Sequence, residues 1–310
     1  MTINNRRNFL KTAGTLAIGG IALSSKAVSL LNFKPKHAVG IQLFTFFNVM
    51  DADVKGTLTK VSAAGYKEIE SAFSTKGGYY GLKPKEFKAL VNGEGLAWKS
   101  HHVLGAPFKL PPGSKMPAGA DGKPITIPPM LNLRDNAQQL VDEAAEGGVT
   151  YLVCANTPIG SLDEIKQSIE TLNKSAELAT KAGLQFCYHN HDAEFKAVEG
   201  KIPYDLMLAE TDPKHTKFEL DLAWAIKAGK DPVEMFKQHP GRFPLWHVKD
   251  LDAARETILP VGSGTINFKP IFAAAASSGM QHFFVEHDMP KNPYASMASS
   301  IAYIDKKLLA

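Results

Sequence analysis

Histidines and carboxylates recur in this chain at the ends of short apolar runs, where side chains from separate runs can converge. Glu70 closes one run, His101 and His102 another, and Asn156 follows a third. His189, His191 and Asp192 end a fourth, and Asp221 a fifth. His247, Lys249 and Asp250 end the sixth, and Glu286, His287 and Asp288 the seventh. Asp221, His247 and Glu286 thus close three consecutive runs, and a mixture of carboxylate and imidazole on a rigid frame satisfies a divalent cation. His189, at the end of the run before them, would be the fourth ligand. An acid at a single strand end is usually solvated or caps the next helix; four successive ends of ligand type point instead to a metal site.

Such residues need a frame, and the spacing of the runs supplies one. Apolar β-like runs at 38–43, 66–70, 97–102, 150–154, 185–189, 217–221, 243–249 and 282–286 alternate with helical patterns. The predicted helices cover 54–64, 84–92, 136–147, 162–182, 204–210, 232–238, 268–278 and 293–309. Several begin after Asp, Ser or Pro and several stop at glycine, as at Gly65, Gly147, Gly183 and Gly279. Parallel strands need helical crossovers, and eight such units close on themselves, so the fold class predicted is α/β, a single-domain (β/α)8 TIM barrel. A doubly wound open sheet would carry a phosphate-binding glycine fingerprint after its first strand; here the first run leads into Gln42-Leu43-Phe44-Thr45-Phe46-Phe47. In a barrel the site lies at the C-terminal ends of the strands, where these polar residues fall. The Pro- and Gly-rich stretch 105–129 follows the third run and is expected to be a lid or active-site wall.

Composition narrows the partners. The 310 residues are 44% apolar and 21% charged, enough to bury a full core. Residues 1–33 hold Arg6, Arg7, Lys11 and Lys26 without an acid, and the remaining chain carries 31 basic and 31 acidic residues. A neutral body offers no footprint for a phosphate backbone, so no nucleic-acid partner is expected. The leader Asn5-Arg6-Arg7-Asn8-Phe9-Leu10-Lys11, with an apolar run behind it and small residues at 24–27, resembles a twin-arginine export signal. The expectation is an export signal at 1–33, a barrel at 34–310, passage through the twin-arginine machinery and a periplasmic location. Cys154 and Cys187 both sit in apolar segments and are read as buried free thiols.

Across the mature chain the sequence resembles the xylose isomerase-like barrel superfamily, the sugar phosphate isomerase/epimerase group. The resemblance rests on the following segments in order: Gly40-Ile41-Gln42-Leu43, Gly65-Tyr66-Lys67-Glu68-Ile69-Glu70, Tyr188-His189-Asn190-His191-Asp192-Ala193-Glu194-Phe195 and Glu219-Leu220-Asp221. His247-Val248-Lys249-Asp250, the stretch from Val261 to Phe268, and Val285-Glu286-His287-Asp288 complete it. It implies a divalent metal, commonly manganese, magnesium, cobalt or zinc, beside a small carbohydrate substrate. Asp221, His247 and Glu286 match the family's ligands on strands six to eight. On strand five His189 replaces the epimerase Glu, which leaves Glu286 alone of the two carboxylates that face an enediolate. His189 can ligate or act as base. Trp224 replaces a His three residues after Asp221, and an indole suits stacking on a sugar face. Glu70 and His102 match sugar-binding positions. His191, two residues beyond His189, and Asp250 are further substrate-binding candidates, and Lys249 is expected to stabilise an oxyanion. Isomerisation or epimerisation of a free sugar or keto-sugar derivative is the implied activity. Elimination or hydration of a keto sugar is the alternative, and a non-catalytic sugar-binding barrel the reading from a different class.

Overall fold

The computed structural model describes residues 38–108 and 130–309. The expected export signal, and most of the expected lid, lie outside the described residues. Eight parallel strands close a barrel: β1 (Gly40–Gln42), β2 (Glu68–Ser71), β3 (Ala97–Leu104), β4 (Tyr151–Asn156), β5 (Gln185–His189), β6 (Thr216–Asp221), β7 (Leu245–Val248) and β8 (His282–Val285). Closure is made by β8, which pairs with β1 through Gly40 and Phe284 and with β7 through Phe284 and His247.

The crossover helices start where their caps dictate. Asp53, Asn132, Ser161, Asp231 and Asn292 each turn a side-chain oxygen onto a free first-turn amide. Asn132 explains why the helix expected at 136–147 begins earlier, at Leu133: its side chain accepts the Asp135 amide. The expected helix 268–278 breaks into Phe268–Ala273 and Ala275–Ser278. Several short elements were not expected, among them the helical turns Leu43–Phe46, Phe47–Met50 and Ala193–Phe195. Two more are a helix Leu222–Lys227 directly after β6, and a small antiparallel ladder pairing Asp250–Leu251 with Ile258–Leu259. All are too short for a periodic signal. Among the described residues, no helix is long and apolar enough to cross a membrane.

Apolar packing occupies two layers. The larger cluster lies between strands and helices and contains Trp98 and Trp246, both fully buried as packing residues, with the Trp246 ring stacked at 4.8 Å on Phe236. The smaller one, Tyr151, Val153, Cys187, Leu245 and Phe284, fills the barrel interior beneath the polar mouth. Gly40 makes room for it, since a Cβ there would lie 2.5 Å from Phe284 Cδ1. Cys187 faces inward with Val153, Cys154 belongs to the outer cluster, and both thiols are free and buried.

Candidate active site

Side chains alternate across a strand, so residues two apart share a face. On β6 this points both Glu219 and Asp221 into the barrel, one above the other. The polar interior consequently forms two levels.

In the upper level Asp221, His247 and Glu286 present ligand atoms within 4.8 Å of one another. Asp221 Oδ1 caps the following helix by accepting the Trp224 amide at 2.9 Å. Its Oδ2 is buried and receives no hydrogen bond, although Lys249 Nζ lies 3.0 Å away as an ion pair. His247 Nδ1 meets Glu286 Oε2 at 2.6 Å. Lys249 Nζ also reaches Glu286 Oε2 at 2.8 Å and Asp288 Oδ2 at 3.0 Å. Burial works against its charge, but the carboxylates of Asp221, Asp288 and Glu286 hold its pKa well above the ordinary lysine value. Burial would likewise raise Glu286, yet Lys249 and His247 keep it below the carboxylate range. Asp288 is pushed up to about 6, chiefly by burial.

The lower level consists of Glu70, His102 and Glu219, buried beneath those ligands. Glu219 Oε2 lies 2.6 Å from His102 Nε2, 3.1 Å from His189 Nδ1 and 3.2 Å from His247 Nε2. Glu70 Oε1 takes His247 Nε2 at 2.6 Å and His102 Nε2 at 3.0 Å, and Gln42 Nε2 donates to it at 2.7 Å. Ser100 donates to its other oxygen. The rings of His102 and His247 stack at 5.1 Å. A histidine that ligates a metal commonly donates its second N–H to a carboxylate, which fixes tautomer and orientation; Glu70 and Glu219 are placed to do so at His247 Nε2, and Glu219 at His189 Nδ1. Burial and the Glu70 charge push Glu219 up to about 7. Burial would raise Glu70, but His102 and His247 hold it well below its usual value.

His102 is pushed up to about 9, against burial, by Glu70 and Glu219. Between the free value of 6.5 and about 9, the folded metal-free protein therefore binds more protons than the unfolded chain. This contribution to stability is complete below 6.5 and is lost as pH rises through about 9. Denaturant melts of the metal-free protein are expected to weaken over that window, more steeply than in His102→Gln by up to about 1.4 kcal/mol per pH unit. Equal slopes would count against it.

The geometry redistributes the expected sugar contacts. Glu70 and His102 point inward as expected, and both Glu70 oxygens and His102 Nε2 are engaged by neighbouring side chains. Asp250 is corrected: its carboxylate turns into the loop after β7 and accepts the amides of Leu251, Gly262, Gly264 and Ile266. Gly262-Ser263-Gly264 is thus a turn held by Asp250. His101 faces outward onto Ser71 Oγ at 2.8 Å. Trp224 and His191 do line the mouth, half-buried, with ring centroids 6.2 Å apart, and Lys249 Nζ lies 5.3 Å from the Trp224 ring. Glu219 was missed by sequence reasoning, although its place two residues before Asp221 was the available signal. His189 lies beside the ligand trio: Nδ1 is held by Glu219, and Nε2 is 3.9 Å from Asp221 Oδ2. Burial, then the His247 and His102 charges, push it well below the ordinary histidine value.

The sequence model of the xylose isomerase-like TIM barrel family matches residues 58–307. The chain belongs to that family. A sugar phosphate isomerase/epimerase from Parabacteroides distasonis is 28% identical and superposes with a TM-score of 0.70, over 88% of this chain and 95% of that one. An inosose dehydratase from Geobacillus thermodenitrificans is 27% identical over 145 residues, 41% of this chain and 48% of the relative. One from Lacticaseibacillus casei is 26% identical over 164 residues, 46% of this chain and 54% of the relative. The chain thus spans about half the length of these curated relatives. As a family member it carries, in the buried His, Glu and Asp residues, a cluster able to bind a metal.

Proposed function

We propose that this barrel is a metal-dependent enzyme that removes the proton beside the carbonyl of a keto sugar or keto cyclitol. The observation that carries the reading is the convergence of Asp221, His247 and Glu286, with an Asp221 oxygen that accepts no hydrogen bond and meets only the Lys249 charge, beside an uncharged His189. The donor set fits a divalent cation, held by Asp221 Oδ2, His247 Nδ1 and Glu286. When bound, the metal would polarise the carbonyl and an adjacent hydroxyl and so acidify the neighbouring C–H. His189 receives that proton on Nε2, because Glu219 occupies Nδ1 and burial keeps the ring neutral. Lys249 faces the oxyanion that develops. Trp224 and His191 line the wall on which the sugar rests.

Elimination is the outcome this arrangement supports better. The C–H electron pair moves onto the carbonyl oxygen, then returns to form a C=C bond as the β C–O bond breaks. The departing oxygen takes the proton that His189 received and leaves as water or an alcohol. One base suffices, and among the described residues the carboxylates nearest His189 are Glu219, which holds its Nδ1, and Asp221, a candidate metal ligand; the dehydratase relatives point the same way. Isomerisation or epimerisation remains the second reading, favoured by the Parabacteroides neighbour. Metal-loaded protein incubated in deuterated water with aldoses, ketoses, inososes and 3-keto glycosides should place label on the carbon beside the carbonyl. A rising enone absorbance marks elimination, and an epimer without it marks the second reading. His189→Ala should retain metal and lose exchange; binding of a substrate without exchange in the wild type would make the protein a sugar-binding barrel.

Export to the periplasm is part of this proposal and is supported by Arg6-Arg7 and the apolar run behind them. Arg6→Lys with Arg7→Lys should leave the protein in the cytoplasm, and normal periplasmic accumulation of that variant would refute it.

A further inference from the structure

The mouth of the barrel is divided by chemistry. The loops after β5, β6 and β7 present His191, Trp224 and Lys249, whereas the turns after the adjacent strands β1 and β2 present three phenylalanines. Phe44, Phe47 and Phe73 form a closed triangle, with ring centroids 5.3 Å, 5.6 Å and 5.6 Å apart, and all three remain half-buried. Phe44 stands two residues beyond Gln42, whose amide is bonded to Glu70, and Phe73 follows Glu70 by three. Phe73 also lines, together with His102, Val103 and Leu131, a cavity of about 90 Å³. On the other side of β1, the loop after β8 holds Met289 with φ of +42°, 45% exposed. Met289 and Phe108, after β3, are the exposed large hydrophobics among the described residues. Flat apolar rings left facing solvent beside a polar site mark a place where something apolar is buried on binding. A bare polyol leaves them unused.

We propose that Phe44, Phe47 and Phe73 form a subsite for an apolar, aromatic substituent carried by the sugar, the aglycone of an aryl glycoside. The inference rests on the keto-sugar reading above and extends it: the sugar ring lies toward Trp224 and Lys249, and the substituent lies across the mouth on the phenylalanine triangle. Among the described residues no lysine or arginine stacks on the triangle, so the subsite is expected to select a neutral ring over a phosphate. Each aromatic pair contributes roughly a factor of 2 to 10 in affinity.

The test compares a phenyl and a methyl 3-keto glucoside as substrates, and unoxidised phenyl and methyl glucosides as ligands in calorimetry. In the wild type the phenyl to methyl ratio of kcat/KM is expected to be about 10, carried mainly by KM. In Phe44→Ala/Phe73→Ala the ratio should fall to about 1, and Phe73→Leu, which keeps apolar bulk in the fold, should give an intermediate value. Calorimetry should show the same preference and the same loss. A wild-type ratio near 1 in both measurements, or an unchanged ratio in the double variant, overturns the subsite. If no keto sugar is turned over while phenyl preference in binding disappears with the phenylalanines, the subsite stands and the reaction assignment fails.

Discussion

Glu286→Gln is expected to lower turnover by about 10²–10³-fold and divalent-metal affinity by more than about 100-fold, with little change in the fold. The carboxylate meets His247 Nδ1 at 2.6 Å and Lys249 Nζ at 2.8 Å, and it is one of three converging ligand side chains. An amide of the same shape keeps the packing but presents a neutral, weaker ligand atom. The barrel should survive because its closure depends on strand pairing and two apolar clusters, none of which includes this residue. Elemental analysis of purified protein, chelation and thermal melts would measure the three effects separately. Wild-type turnover unaffected by chelation would sink the metal assignment.

Lys249→Met is expected to behave in the opposite sense. The ammonium is buried among Asp221, Glu286 and Asp288, at 3.0 Å, 2.8 Å and 3.0 Å. Removing it leaves three neighbouring carboxylates without their cation, and breaking a buried ion pair in this way costs about 3–5 kcal/mol. The metal-free variant should therefore melt well below the wild type. A divalent cation restores the missing charge and binds only the folded chain, so millimolar metal should recover most of the loss. Metal affinity itself should rise, because a like charge beside the ligands is gone, while turnover falls with the loss of the oxyanion partner. Equal melting temperatures without metal would show that the three carboxylates do not depend on Lys249.

These two substitutions separate residues whose types the sequence reveals from relations it does not. Asp221, His247 and Glu286 were legible because each ends a strand that the alternation of apolar runs and helices had already located. His189 was legible for the same reason, but its role was not. A histidine at a strand end can turn either nitrogen into the barrel, and Glu219 beneath it holds Nδ1, which leaves Nε2 as the nitrogen available to a substrate. Asp250 shows the converse. It stands one residue from Lys249 in a stretch of ligand types, yet four backbone amides claim its carboxylate. Three of those amides come from a loop 12 to 16 residues on, a closure that no local pattern encodes.

The sequence alone determined the barrel. Strand and helix periods are local properties, and eight alternations of them admit few arrangements other than closure. It also determined which ends carry polar side chains, since side-chain alternation runs along each strand. Only the tertiary structure decided the two levels of the polar interior, with Glu70, His102 and Glu219 holding the histidines above them. That layering depends on the register between β2, β3, β6 and β7, strands separated in sequence by as many as 177 residues at the Glu70 to His247 contact. Register is set by packing across the closed sheet, so a carboxylate in the middle of a strand becomes part of the site only once the barrel is shut.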